Sequence, residues 1–429
     1  MIAIITKKLL YGFSVMWGVV TVVFLIFNLK PGDPAQMLLG QRATEEATRA
    51  IEKELGLDLP VTKQYMLYIN DLSFLSIHEL EDNASHLYLD ENKYSGKVLM
   101  SIGSRALVLK YPYLRRSYQS KKTVSSIIAE ALPGTIVLAG SAILLALLLG
   151  GVIGILSALY KDSFFDKSAL VIAVLGMSMP SFYVAIIISW IFGFLWYSQT
   201  SLPILPVVFA FVFMLVHVLS NKGVRTFKFL AMQFFKGALI GIFLWLLVVG
   251  LQKLFGLQFL YSIDKYVNLP GTYLNQSGSL YEIDVFTGPY LSLRNLILPM
   301  ITLGIRPLAV IIQLLRNSLL DVLSADYIRT ARAKGLKLKT IIWRHALKNA
   351  LNPVITAVSG WFASMLAGAV FIEFVFGWQG LGLRIYEALI KEDFPVVIGA
   401  VIVISATFVI INILVDVLYS VLDPRIRLA

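Results

Sequence analysis

GTIVLAGSAILLALLLGGVIGILSAL, residues 134–159, runs without a charged side chain. It exceeds the ~18 consecutive apolar residues that read as a membrane-spanning helix. Seven comparable runs lie around it: 9–29, 168–197, 202–219, 237–255, 296–315, 352–372 and 396–420. The whole chain agrees with this reading. Of its 429 residues 58% are hydrophobic and 15% charged, and mean hydropathy is +0.77, whereas soluble domains are about half apolar and a quarter charged. The expectation is an all-α polytopic membrane protein with about eight transmembrane helices. Such an apolar content excludes a disordered chain. Continuous runs argue against a transmembrane β-barrel, whose strands alternate apolar and polar residues. The net charge of +11 reads as loop anchoring and gives no reason to expect nucleic acid.

Lys and Arg set the orientation. The 9–29 run follows Lys7 and Lys8 and is succeeded by Pro31-Gly-Asp-Pro34, not by a small-residue cleavage site; it reads as an uncleaved anchor. With the N-terminus in the cytoplasm, the cytoplasmic segments hold Lys161 and Lys167; Lys222, Arg225, Lys228 and Lys236; a cluster from Arg316 to Lys348; and Arg425 with Arg427. Outer loops carry fewer, apart from the long 30–133 segment, and long loops cross largely regardless of charge. Both termini are therefore expected to be cytoplasmic. Within 30–133, Thr44 followed by Glu45 and Glu46 reads as a helix start and Gly56 with Pro60 as its stop. Residues 78–123 show no clear period.

Several chemistries lack their residues. With no cysteine there is no disulfide and no thiol nucleophile. Neither a phosphate loop nor an H-E-x-x-H pair occurs, and the four histidines (78, 86, 217 and 345) are scattered. Charges inside the runs are sparse, Arg306 and Asp416 among them, which speaks against a proton-driven pump built on chains of intramembrane acids. No internal repeat of the inverted-transporter kind is visible.

The most informative polar stretch is Asp326-Tyr-Ile-Arg-Thr-Ala-Arg-Ala-Lys-Gly335, continuing to Arg344-His-Ala-Leu-Lys-Asn-Ala-Leu-Asn-Pro353. Residues 325–334 are helix formers, and Gly335 can end a helix in the left-handed conformation. A second helical stretch, 340–351, leads to Pro353. Physics alone leaves two readings open. One is a short surface helix that passes force from a cytosolic partner to two spans. The other is a basic loop that only fixes topology.

These residues resemble the cytoplasmic EAA loop of ABC-importer permeases, specifically the B-type subunit of the dipeptide/oligopeptide/nickel family. The resemblance extends through Pro31-Gly-Asp-Pro34, Leu55-Gly-Leu-Asp-Leu-Pro60, Ile128-Ala-Glu-Ala-Leu-Pro133, Glu373-Phe-Val-Phe-Gly-Trp-Gln-Gly-Leu-Gly382, Asp393-Phe-Pro395 and the 414–428 tail. It implies a type I ABC-importer permease in a bacterial inner membrane. By that resemblance the chain would have no catalysis or cofactor of its own. It would pair with a second homologous permease and two cytosolic ATPase subunits that bind ATP and magnesium. An extracytoplasmic solute-binding protein would deliver a peptide or similar small solute. Tyr327, Arg329, Thr330, Ala331, Arg332, Ala333, Lys334 and Gly335 would form the ATPase-coupling element, with Ala331 and Ala333 allowing close approach and Gly335 making the turn. The chain departs from the general pattern where Arg329 replaces an acidic residue and where Lys348 replaces a proline.

The family core has six spans, so two hydrophobic helices would be extra. The expected organisation is an anchor helix, 1–29; an extracytoplasmic segment with insertion, 30–133; spans two and three, 134–198; an inserted pair of helices with an outer loop, 199–295; and a permease core, 296–429, with the coupling loop at 316–351. Arg306 is the candidate for the translocation path, set against a structural role at a helix kinked by Pro307. Glu373 is expected to cap or pair locally and Asp416 to pair near the inner surface. Gly150-xxx-Gly154 and Gly237-xxx-Gly241 are read as close helix crossings. Two rival functions are an exporter or signalling relative that shares the coupling loop, and an integral-membrane enzyme.

Overall fold

The computed structural model describes residues 2–29, 45, 48–49, 52–53, 56–82, 85–90, 93–200, 205–220, 227–255, 278–286 and 288–422. Helix dominates because the apolar runs have no way to satisfy backbone polar groups in lipid except along their own axis. The chain forms two compact units, residues 1–132 with 384–429, and residues 133–383.

The first unit is built on α1 (Ile2–Leu29) and the long C-terminal helix Phe394–Leu422. They pack so closely that a Cβ on Gly12 would stand 2.5 Å from Val409 Cγ1. A short helix, α2 (Val61–Leu72), lies against both, with Tyr68 buried among Val20, Phe24 and Ile402. Its Tyr65 hydroxyl is 2.6 Å from Thr21 Oγ1. Gly56, at φ +70°, supplies the expected stop of the preceding segment; the helix start expected at Thr44 lies outside the described residues.

From α2 the chain enters a small antiparallel sheet of β1 (Leu75–Glu79), β2 (Gly96–Ile102) and β3 (Arg105–Lys110), in the order β1-β3-β2. Residues 78–123 show no clear period in the sequence, and the structure gives most of this sheet to them, so strands join the helices outside the apolar runs. Its alternation is hard to read because β2 and β3 hold consecutive apolar residues, Val98 to Met100 and Ala106 to Leu109, while the inward positions include Ser76, His78 and Lys110. Asn70 on α2 holds the free edge of β1, donating to the Ile77 carbonyl and accepting from its amide at 3.0 and 2.9 Å.

The second unit begins within α3 (Val124–Leu159). It continues through α4 (Phe164–Ser178), α5 (Ser181–Ile188) and a wider-wound turn, Ser189–Thr200, to the antiparallel pair α6 (Leu205–Ser220) and α7 (Phe227–Phe255). A two-stranded ribbon, β4 (Tyr281–Asp284) with β5 (Gly288–Leu291), precedes α8 (Ile297–Ser324), the hub of this unit. After α8 come α9 (Asp326–Ala333), α10 (Asn352–Gly368), α11 (Val370–Phe376) and α12 (Leu381–Ile390); the C-terminal helix of the first unit is α13.

All eight apolar runs include helix. Among the described residues, four helices are long and apolar enough to cross a membrane: Val124–Leu159, Phe229–Leu247, Ile297–Ser324 and Phe394–Leu414. Two bent pairs, Phe164–Ser178 with Ser181–Leu195 and Asn352–Leu366 with Val370–Phe376, bring the number to 6 if each is one span. The first pair turns by 108° at Pro180, where proline removes the amide a continuing helix needs. Both glycine pairs make the close crossings expected of them. A Cβ on Gly150 would lie 3.1 Å from the Leu308 carbonyl, and one on Gly237 2.8 Å from Ala210 Cα.

Candidate functional site: an exposed helix braced by two membrane helices

Helix α9 is set by two inward residues. Ile328 and Ala331, one turn apart, are buried with Ile311, Leu315 and Leu319 of α8, with Ile341, Ala346 and Ala350 of the following segment, and with Val354 of α10. The remaining face is outward: Tyr327, Arg329, Thr330, Arg332, Ala333, Lys334 and Gly335 are all exposed. Arg329 lies 3.2 Å from Asp326, and Thr330 Oγ1 donates to the Asp326 carbonyl at 3.0 Å. Both contacts tie the first turn. The Tyr327 hydroxyl accepts from Asn349 Nδ2 at 2.8 Å, joining α9 to the segment that returns towards α10.

The C-terminus is closed by a double hydrogen-bond turn. Gly335, at φ +74°, donates to the Arg332 carbonyl at 2.9 Å, and Leu336 donates to the Ala331 carbonyl at 3.3 Å. This is the Schellman arrangement, and only glycine enters its left-handed position without strain. Residues 338–350 form a helical turn, a wider-wound segment Ile341–Ala346 and a short helix Leu347–Ala350, ending where Pro353 opens α10. Lys337, Lys339, Arg344 and Lys348 are exposed along this return path. The result is a cationic surface with an aromatic, Trp343, also exposed. One expectation needs correction: Ala331 faces inward, so its small size serves packing within this chain, and among the two alanines only Ala333 is available to a partner.

The other singled-out residues do not join this surface. Arg306 sits on α8 with its side chain exposed and Nη2 3.5 Å from the Met177 carbonyl, beside the break between α4 and α5. Glu373 is fully buried and accepts from Thr135 Oγ1 at 2.7 Å and from the Leu383 amide at 2.9 Å. The Gly380 and Gly382 backbone closes over its carboxylate so tightly that a Cβ at Gly382 would meet Val370 Cα at 2.7 Å. Trp378 Nε1 adds a bond to the Gly134 carbonyl at 3.0 Å. The 373–382 motif is thus a structural clasp, as the local reading of Glu373 expects. Asp393 does similar work: it accepts from Ser117 Oγ at 2.5 Å and from the Tyr118 amide at 2.9 Å, holding the turn that leads into α3. The Asp416 side chain lies outside the described residues.

One ion pair escaped the sequence reading. Asp166 and Arg316 meet through two bonds of 2.5 and 2.7 Å, with side chains 1% and 13% exposed. Both lie just beyond the apolar runs as first delimited, and the helices continue through them. The readable signal was Ser163-x-x-Asp166. Ser163 Oγ accepts from the Asp166 amide at 3.2 Å, and Asp166 accepts from the Asp162 amide at 2.9 Å, a capping box whose carboxylate also takes the arginine. No group of three His, Asp or Glu residues is placed for a metal ion among the described residues.

Comparison with known proteins places this architecture. Residues 150–428 match the family model of binding-protein-dependent transport system inner membrane components, and residues 1–82 match the N-terminal model of such components. The chain is 31% identical over 427 residues to the dipeptide transport system permease protein of Alkalihalophilus pseudofirmus, covering 100% of both. It is 30% identical over 431 residues to the dipeptide transport system permease protein of Escherichia coli K12, covering 100% of this chain and 99% of that one. Against the di/tripeptide transport system permease protein of Pseudomonas aeruginosa the identity is 27%, over 100% and 99% of the two chains. The chain therefore belongs to the family of binding-protein-dependent transport system inner membrane components, as a multi-pass permease of the ABC-importer type in a bacterial inner membrane.

Proposed function

We propose that this chain forms the translocation path of an ATP-driven importer for peptides and couples it to cytosolic ATPases through α9. The observation that carries the coupling is the bracing of α9. Its inward residues rest on α8, the return segment and α10 together, so a push on its outward face reaches two membrane helices at once. Cation-rich and closed by Gly335, that face suits a groove with acidic lining on an ATPase subunit. In this reading the 326–351 segment and both termini are cytoplasmic. Two ATPase subunits bind ATP and magnesium, a second homologous permease completes the path, and a solute-binding protein docks outside. The substrate class follows the names of the relatives, which are dipeptide and di/tripeptide permeases.

Arg306 fits a place on the path. An exposed guanidinium on a membrane helix needs water, a carbonyl or an anion beside it, and a peptide carboxylate entering near the α4–α5 break would supply one. The test is co-purification of the tagged permease with its ATPases and measurement of their activity. Arg332→Glu together with Gly335→Pro is expected to release the ATPases or to abolish uptake while the permease still folds. Undiminished uptake with ATPases still bound would overturn the coupling role.

A further inference from the structure

The β1-β3-β2 sheet, which lies outside the membrane in the orientation proposed above, leaves an apolar face open. Residues directly opposite one another in its ladders define three rows on one face: Leu75, Leu109 and Lys97; Ile77, Leu107 and Met100; Glu79, Arg105 and Ile102. Leu75, Ile77, Leu109 and Met100 are each between 48% and 54% exposed, and Ile102 is 71% exposed. The covered face carries Ser76, His78 and Lys110 beside Ala106 and Val108, each at most 3% exposed. Burying a lysine and a histidine while leaving a row of leucine and isoleucine open reverses the usual preference. It makes sense where the open face does not meet water.

The position of α2 indicates what it meets. Tyr65 and Tyr68 pack on Phe24 with ring centroids 5.2 and 5.6 Å apart, and Tyr65 bonds Thr21. At 1.5 Å per residue, Phe24 lies roughly 7 Å and Val20 roughly 13 Å inside the Leu29 end of α1. Helix α2 is therefore docked at headgroup and upper acyl-chain depth, where tyrosines concentrate. The sheet hangs from α2 by the Asn70–Ile77 pair of bonds. Phe74 and Tyr111, flanking the sheet, are exposed as well; Arg105 pairs with Glu79 at 3.6 Å at one end of the apolar face, and Lys97 lies at the other, where its stem can lie on acyl chains and its charge can reach lipid phosphates.

We infer that the open face of β1-β3-β2 is a lipid-binding surface that seats the lobe in the outer leaflet against anionic headgroups. The lobe then acts as a brace that fixes α1 and α13 in the bilayer plane.

Because the chain has no native cysteine, an environment-sensitive fluorophore can be placed at Ile77→Cys, and independently at Leu109→Cys in case the first variant does not fold. The full-length permease is reconstituted in vesicles of phosphatidylcholine and phosphatidylglycerol. Brominated acyl chains are expected to remove most of the emission of either label, and aqueous iodide to leave it nearly unchanged. Iodide quenching without bromolipid quenching overturns the inference. So does protection from both quenchers, whether in the permease alone or on addition of the solute-binding protein, since a protein would then cover the face.

Discussion

Asp166 holds three things together at once: the start of α4, the turn at Asp162 and the guanidinium of Arg316. A buried pair of this kind gives little net stability over an apolar replacement, but removing one partner strands the other charge, at a cost of about 3–5 kcal/mol. Asp166→Asn keeps an oxygen acceptor for the Asp162 amide, loses the charge and turns one of the two acceptors of the guanidinium into an NH2 donor. It is therefore expected to lower the thermal stability of the purified permease markedly, and Asp166→Leu combined with Arg316→Met to recover much of the loss. A single variant as stable as the wild type, with the double variant less stable than either, would show that the cap, not the ion pair, is what matters. This residue was only partly legible in sequence: the capping box could be read locally, whereas the arginine lies 150 positions away and no periodicity connects them.

Among the elements, α9 was legible almost to the residue. Its helix formers and its glycine stop are local signals, and local signals survive in a sequence read alone. What escaped was which alanine turns inward, because the direction of the face depends on α8 and α10 beneath it. Gly335 allows the helix end itself to be tested. Nothing lies within 4 Å of where its Cβ would be, so any cost of substitution is one of backbone conformation, about 1–2 kcal/mol for a residue with a Cβ in the left-handed region. Gly335→Asn is expected to keep most uptake and solute-stimulated ATPase activity, because asparagine tolerates that region. Gly335→Val should lose coupling while total permease in the membrane stays near normal. Matching activities for the asparagine and valine variants would mean that the turn geometry is not required. A loss of permease from the membrane would point to folding instead of coupling.

At the scale of the whole molecule, the membrane-spanning architecture was visible in apolar runs, whose physics is one-dimensional, and the family motifs fell in order along them. The small sheet was not visible, because β2 and β3 carry apolar residues on both faces, Val98 to Met100 and Ala106 to Leu109, and such runs lack the period-2 alternation by which strands are recognised. Buried polar groups make this lobe sensitive to pH. His78 is buried between Ser76 Oγ and the Leu87 carbonyl, at 3.0 and 3.1 Å, and burial, reinforced by the Lys110 charge, holds its pKa below 6.5. As pH falls from 6.5 towards that folded value, the unfolded lobe takes up a proton that the folded lobe refuses, so stability falls. Lys110, bonded to the Asp71 carbonyl at 2.5 Å, is pushed down by burial to about 8. Between 8 and its ordinary 10.5 the unfolded chain keeps a proton that the folded lobe gives up, so stability rises with pH there. Tyr94, bonded to Asp71 at 2.7 Å, and Tyr113 are raised above 10.0, chiefly by burial. Above that pH the unfolded chain releases protons that the folded lobe retains, and stability is lost again. Amide-exchange protection of residues 75–110, corrected for intrinsic rates, is therefore expected to fall on acidification below 6.5 and to peak between 8 and 10. The acid limb should flatten in His78→Gln, which cannot charge. Protection of Ile297–Ser324, which contains none of these groups, should not follow the same curve. An acid loss that persists unchanged in His78→Gln would assign the sensitivity to other groups and remove His78 from the account.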